Sequence, residues 1–358
     1  MIRGIFIMEN FNNQQFPQYS GENQPYQQAY PPPLPSAMSE EKRFKKWMYK
    51  IFGGNLLYEG IMFGTIFAVA VVIGVALGVL MVFSDTPDIF DTFLENFENT
   101  DMGSTFAVLV ATFFLGLFMW KVIKPKEIFE KKKSMNPKSF LMIFCVFYGC
   151  QLVFSLLGIG LEMLLNLVGF TAEEAVEAAS GGSESISMLI YAGLTAPIFE
   201  EIVFRGYMMK SLEKTGVGKG YAMLISSILF GVMHGNFVQA PFAFVVGFVL
   251  AYTAMEYGII WSILIHFLNN FVMAEGTTFL IERVPESIAP LLDYGPLLIF
   301  TLAAIVVLIV KRHEVKAYIS ENYNTPKVYY KWTFTNPLFI IFCVICFFMS
   351  LLTITRLD

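Results

Sequence analysis

Charge is scarce in this 358-residue chain: Asp, Glu, Lys and Arg together make up 15 % of it, and histidine occurs three times. An ordinary soluble domain carries about a quarter charged residues, so that class is excluded, and no basic surface points to nucleic acid. Cysteine is limited to Cys145, Cys150, Cys343 and Cys346, each inside an apolar segment. Cys343-x-x-Cys346 has redox or zinc spacing, but among Phe and Ile it reads as two small buried residues in helix packing. Three patterns are missing altogether. There is no His-Glu-x-x-His metalloprotease helix, no Gly-x-Ser-x-Gly nucleophile turn, and no cleavable secretory signal before the first long apolar run. The opening Met1-Ile-Arg-Gly-Ile-Phe-Ile is too short for one, and Met8 is an alternative start.

What fills the chain instead is hydrocarbon. Hydrophobic residues make up 56 %, aromatics 16 %, and the mean hydropathy is +0.59. Apolar stretches near 20 residues recur, the length that crosses a ~30 Å hydrocarbon core. The expected fold is an all-α polytopic membrane protein of about nine helices. The candidate spans are 60–83, 105–123, 139–168, 186–209, 221–238, 241–255, 258–275, 296–310 and 336–353. Residues 9–40, rich in Gln, Asn and Pro, cannot bury enough apolar surface to fold and read as a disordered tail. This gives a tail and basic juxtamembrane segment over 1–50 and N-terminal membrane helices over 51–170. A polar-cored membrane unit over 171–295 and C-terminal helices over 296–358 follow.

Basic loops mark the cytoplasmic side of a membrane protein. Lys42, Arg43, Lys45, Lys46 and Lys50 precede the first span, so the N-terminus is expected inside. The 84–104 loop holds Asp85, Asp88, Asp91, Glu95, Glu98 and Asp101 without a single Lys or Arg. Seven lysines lie in 121–138, none in 171–185, three in 210–219, and Lys311, Arg312, Lys316, Lys327 and Lys331 in 311–331. The alternation places the C-terminus outside and the whole chain in a plasma membrane, on the pattern of a bacterial multi-pass protein.

Within 186–275, groups that hydrocarbon rejects interrupt the apolar runs: Glu200, Glu201, Arg205, His234 and His266, with Asn269 and Asn270 beside them. Ionisable residues at membrane depth cost several kcal/mol unless they face a partner or a wet cavity. Each has a plain reading: Glu201 and Arg205, one turn apart, as a structural ion pair, either histidine as a satisfied bundle residue, the asparagines as interhelical hydrogen bonds. Their co-occurrence on three neighbouring spans favours a shared site. His266 and Asn270 are four residues apart and share a face, as do Phe230 and His234. Glu200 and Glu201 point about 100° apart around their helix, so they need not do the same work. A carboxylate near an imidazole can activate water, and His and Asn donors can stabilise an oxyanion. Two histidines and a carboxylate could equally bind zinc across spans.

Glu200-Glu201-Ile-Val-Phe-Arg205, then Phe230-Gly-Val-Met-His234, then His266-Phe-Leu-Asn-Asn270 resemble the three motifs of the CPBP family. That family comprises CAAX-type prenyl endopeptidases and bacteriocin-processing or bacteriocin-immunity (Abi) proteins. The resemblance spans residues 186–275 and implies an endopeptidase acting on a membrane-associated or lipidated peptide; counted at ~1.5 Å per residue from the expected span ends, the site falls in the cytoplasmic half of the membrane. The resemblance implies that Glu200 activates water with help from His234, that Glu201 and Arg205 order the site, and that His266 and Asn270 bind the oxyanion. In the older family view His266 is a metal ligand, so zinc or no cofactor are both compatible. A non-catalytic immunity or membrane-binding protein on the same scaffold is the alternative. A proton-coupled transporter is a third class, for which no inverted repeat speaks.

Overall fold

The structure, a computed structural model, describes residues 39–83, 102–172 and 186–357. The Gln/Pro-rich tail, the acidic 84–101 stretch and residues 173–185 lie outside the described residues. The described residues are helical almost throughout, as in an all-α membrane protein. In hydrocarbon, backbone polar groups must be satisfied within each segment, and the helix does that.

The helices are α1 (Glu40–Phe83), α2 (Met102–Met119), α3 (Pro137–Asn166), α4 (Ile186–Glu213), α5 (Lys219–Met233) and α6 (Gln239–Tyr257). After them come α7 (Ile259–Ile281), α8 (Ala289–Val310), α9 (Arg312–Asn322), α10 (Lys327–Phe334) and α11 (Pro337–Leu352). Every expected span meets a helix, yet length and composition do not sustain a count of nine. Six helices among the described residues are long and apolar enough to cross, and α10 with α11, bent by 60°, raises this to seven. The remaining two, α2 and α5, are shorter. At 15 residues, α5 reaches only ~22 Å at 1.5 Å per residue. It stops where the chain turns through Gly235, whose φ of 55° favours glycine.

The first helix departs from expectation in the other direction. It begins at Glu40 rather than near residue 60, so the basic residues 42–50 are its first turns. Lys50 lies over the Phe118 ring of α2 at 3.8 Å. The basic loops meet at one end of the bundle: Lys214 reaches Glu127 at 2.6 Å, Lys210 reaches Glu130 at 3.4 Å and Lys219 reaches Glu256 at 3.1 Å. At the other end, Phe170 and Thr171 pair antiparallel with Arg356 and Thr355 in a two-residue ladder, β1–β2. The end of α3 and the C-terminus therefore share a side, as the charge alternation requires.

Two cores hold the bundle. The larger joins Met48 and Phe52 of α1, Leu115 of α2, Phe204 and Met208 of α4, Tyr221 of α5 and Phe342 of α11. The smaller joins Phe144, Phe147 and Tyr148 of α3 to Leu250, Ile265 and Leu297. Phe67, Val72, Phe113, Leu164, Ile299 and Phe348 face outward. A soluble protein would bury them, whereas a lipid-facing surface leaves them in place. The cysteines are free thiols, Cys145 and Cys346 buried. Helices α4, α5, α6 and α7 pack on one another and enclose the polar residues.

Candidate active site

The site begins with α4, which is not a uniform helix. A π-helical stretch at Tyr191–Thr195 precedes an α segment, Ala196–Glu201, and a second π stretch covers Ile202–Met209. Pro197 accounts for the first break, since its ring cannot tolerate the carbonyl of Gly193 one turn earlier and a π turn moves it aside. On α7 the α segment Ile259–Phe267 gives way to a π stretch at Leu268–Glu275.

Glu201 is completely enclosed, with 0 % exposure, and three groups converge on it. Arg205 Nη1 lies 3.0 Å from Oε1, His266 Nδ1 lies 3.2 Å from the same oxygen, and the Ser262 hydroxyl donates to Oε2. A buried carboxylate is tolerable only when paired and hydrogen-bonded in this way. Arg205 is enclosed too. Its Nη2 donates to the Gly247 carbonyl at 3.0 Å, and its guanidinium lies over the Phe230 ring at 4.1 Å. Phe230 is the hub. The rings of Phe204, His234 and His266 stand edge-on to it, with centroids at 5.4, 4.9 and 5.9 Å.

Glu200 differs from its neighbour. Its side chain is 14 % exposed, and His266 Nε2 lies 3.9 Å from its Oε2. His266 thus bridges the two glutamates, Nδ1 toward Glu201 and Nε2 toward Glu200. His234 occupies the C-cap of α5, where its Nδ1 meets the Phe230 carbonyl at 2.7 Å. A carbonyl only accepts, so the proton of the neutral ring sits on Nδ1 and Nε2 keeps its lone pair. Asn270 donates through Nδ2 to the Ala192 carbonyl at 3.0 Å. Its Oδ1 accepts from Asn269 Nδ2 at 3.0 Å, and Gln151 of α3 donates to Asn269 Oδ1.

The structure therefore brings Glu200, Glu201, Arg205 and His266 into one connected group. It joins His234 to them through Phe230, and it ties Asn270 to the opposite turn of α4. Three participants escaped the sequence reading. Ser262 sits four residues before His266 on the same face, a legible signal. Gly247 acts through its backbone, which no side-chain pattern reveals. Gln151 lies on a distant helix. Among the described residues no three His, Cys, Asp or Glu side chains stand close enough together to hold a metal ion. Glu201 is fully engaged by Arg205, Ser262 and His266. The donor set as arranged does not fit zinc, and the chemistry is derived from the side chains alone.

Fold and site together define an integral, multi-pass membrane protein with a carboxylate–imidazole centre enclosed by four of its helices. Residues 182–272 match the model of a protein family described as type II CAAX prenyl endopeptidase Rce1-like. The matched stretch holds all three motifs and is similar to a CPBP-type protease core. Comparison with curated proteins and with solved structures finds no match.

Proposed function

We propose that the protein is an intramembrane endopeptidase that hydrolyses a peptide bond of a membrane-associated or lipidated peptide near the cytoplasmic face, with Glu200 as the base. The observation that carries the reading is the unequal pair of glutamates. Glu201 is saturated by Arg205, Ser262 and His266, whereas Glu200 keeps an accessible edge beside His266. A saturated carboxylate can order a site but cannot take up a proton in the reaction, and a partly open one can.

In this reading Glu200 takes a proton from water as the water oxygen attacks the scissile carbonyl carbon. The lone pair of His234 Nε2 orients that water. The tetrahedral oxyanion is met by Asn270 through its second Nδ2–H and, when the ring is protonated, by His266 through Nε2–H. Collapse of the intermediate breaks the C–N bond. The departing amine takes the proton from Glu200, which restores the carboxylate. Glu201 and Arg205 hold His266 and Phe230 in place throughout. The basic ends of the helices, with the N-terminus, face the cytoplasm of a bacterial cell, and Glu200 lies near the middle of α4, with the Lys210 end of that helix toward them.

The test compares purified wild type with Glu200→Gln in lipid nanodiscs, on a fluorogenic lipidated peptide, with metal content measured on the same preparations. Gln keeps the shape and loses the base, so cleavage should fall by about 10²-fold or more while the melting temperature holds. Cleavage retained in Glu200→Gln would overturn the assignment. Stoichiometric zinc whose removal abolishes cleavage would overturn the metal-free chemistry.

A further inference from the structure

Helix α1 carries a polar cluster that the three motifs do not include. Asn55, Tyr58 and Glu59 share one face of the helix at spacings of three and four residues, and they are 0, 0 and 7 % exposed. The helix facing them is α2, and it runs antiparallel. A Cβ on Gly54 would come within 3.3 Å of Leu115 and Met119, while Ile61 to Ile73 share a groove with Phe106 and Val110. Residues 55–59 therefore come level with the turn that holds Thr112, itself buried.

None of these four side chains is satisfied. Both amide atoms of Asn55, the Tyr58 hydroxyl, Oε1 of Glu59 and the Thr112 hydroxyl are enclosed without a hydrogen-bond partner among the described residues. They are five of the eight such atoms there. Other enclosed hydroxyls of the bundle find partners, Ser211, Ser227 and Ser350 on their own helices and Ser226 at the Phe204 carbonyl of α4; Thr112 has none among the described residues. A dry, unpartnered polar group costs about 1–3 kcal/mol, so five gathered in one place call for a polar occupant. Buried water, with two to four partners per molecule, is what such sites hold.

The cluster adjoins the candidate site. The Tyr58 ring stands edge-on to Phe204, one turn past Glu200 on α4, at 6.5 Å, and α2, which carries Thr112, packs on the Ala196–Glu201 segment. Glu59 is nine residues past Lys50, ~14 Å along the helix, well inside the hydrocarbon.

We propose that Asn55, Tyr58, Glu59 and Thr112 hold a cluster of water inside the membrane beside Glu200, and that this reservoir supplies the water consumed in hydrolysis. The supply role rests on the peptidase reading; the hydration does not. Each peptide cleaved removes one water from a site walled by Phe204, Phe230 and lipid-facing helices. A store hydrogen-bonded to fixed side chains replaces it without an open channel. The four are positioning residues for that water.

Hydroxyl-radical labelling of the full chain in nanodiscs, read by mass spectrometry, tests the hydration directly, because radicals form where water sits. Tyr58 should be labelled despite its complete enclosure, while Phe147, buried in the smaller core away from the cluster, stays at background. In Asn55→Leu/Glu59→Leu the Tyr58 label should fall to background. The same variant's kcat on the lipidated peptide should drop about tenfold or more, with KM within about twofold, as expected when a positioned reactant is withdrawn. Glu59→Gln, which still hydrogen-bonds water, should keep the label and most of kcat. Wild-type Tyr58 at the Phe147 background overturns the proposal, and loss of label with kcat unchanged overturns the supply role. Should the double variant fail to fold, Asn55→Leu alone takes its place. A labelled wild type that cleaves nothing supports the reservoir and refutes the peptidase reading instead.

Discussion

Replacing Gly247 by alanine adds one methyl group at the back of the site and touches none of the motif residues in sequence. Its Cβ would come 2.7 Å from Phe230 Cδ1 and 3.1 Å from Arg205 Nη2. Carbon atoms in contact settle near 3.5–4.0 Å, so Phe230 or α6 must retreat by roughly 1 Å. Helix α6 has little room to move. On the same interface a Cβ on Gly231 would meet the Ala240 carbonyl at 2.7 Å and Phe244 at 2.8 Å, so α5 and α6 are already in backbone contact. The displacement falls on Phe230, and with it on the guanidinium above the ring and the two imidazoles at its edges. Overpacking of this kind costs about 1–3 kcal/mol, and a misplacement of about 1 Å at a reacting group costs up to about 10²-fold in rate. The expected outcome for Gly247→Ala is therefore a lowered melting temperature together with a kcat down by one to two orders of magnitude. Initial rates on a lipidated fluorogenic peptide measure the second. A thiol-reactive dye, reporting exposure of buried Cys145 and Cys346, measures the first. Gly64→Ala is the control, because nothing lies within 4 Å of its added Cβ and alanine is the better helix former. A fully active Gly247→Ala with an unchanged melting curve would refute the reasoning, as would an equal loss in Gly64→Ala.

Arg205→Met should leave Glu201 buried and uncompensated, a loss of about 3–5 kcal/mol read in the same melting assay. Arg205→Lys should recover little, since one ammonium cannot pair with Glu201, reach the Gly247 carbonyl and cover Phe230 together; full recovery would show that charge alone matters. Ser262→Ala removes one of the donors to Glu201, which should cost about 1.5–3 kcal/mol and reduce kcat more than it changes KM. Equal stability of that variant and wild type would count against the hydrogen bond. At the basic end, the hydrogen bond from Lys214 holds the Glu127 carboxyl below its usual 4.5. A depressed folded value means that this stabilisation is complete above pH 4.5 and disappears as the pH falls through the folded value. The pair is partly exposed and contributes under about 1 kcal/mol, so Lys214→Ala should slightly flatten the acid limb of the stability profile below pH 4.5. An identical acid limb would show that the pair contributes nothing.

The sequence reading located the polar residues by their misfit with hydrocarbon, and that physical signal is strong. It also read the Glu201–Arg205 pair correctly, because a helical spacing of four needs no tertiary knowledge, and the structure holds the two at 3.0 Å. Other features were hidden for identifiable reasons. The start of α1 was placed near residue 60 because basic residues 42–50 look like a loop, and that boundary left Glu59 outside the membrane. Once α1 is seen to begin at Glu40, Glu59 becomes a carboxyl in mid-helix and its burial demands explanation. The ends of α2 and α5 are hard to read because Trp120, Val122 and Ile123 after the one, and Phe237 and Val238 after the other, extend the apolar tally beyond the last helical turn. Gly247 acts by shape, through a missing methyl, and does not break the apolar pattern around it; Phe230 is legible one turn before His234, but its place under the guanidinium and between two imidazoles is not.

Backbone irregularity links these observations. Among the described residues the π-helical stretches fall only on α4 and α7, the helices that carry Glu200, Glu201, Arg205, His266 and Asn270. Such stretches are rare and concentrate at functional positions, and here a local cause can be traced. In the first of them the Ala196 N–H bonds to the Tyr191 carbonyl, so it is lost to Ala192. The next residue that could serve Ala192 is Pro197, which has no N–H to give. The Ala192 carbonyl is thereby released from its own helix, and Asn270 Nδ2 takes it at 3.0 Å. Close approach of the two helices makes this possible, since a Cβ on Gly193 would strike Phe271 at 2.8 Å. A proline three residues before Glu200 therefore helps to place an asparagine on another helix, through a carbonyl that an unbroken α-helix would have kept for itself. A backbone group freed inside a membrane bundle must be satisfied from within the protein, and at this turn the answering side chain belongs to the third motif.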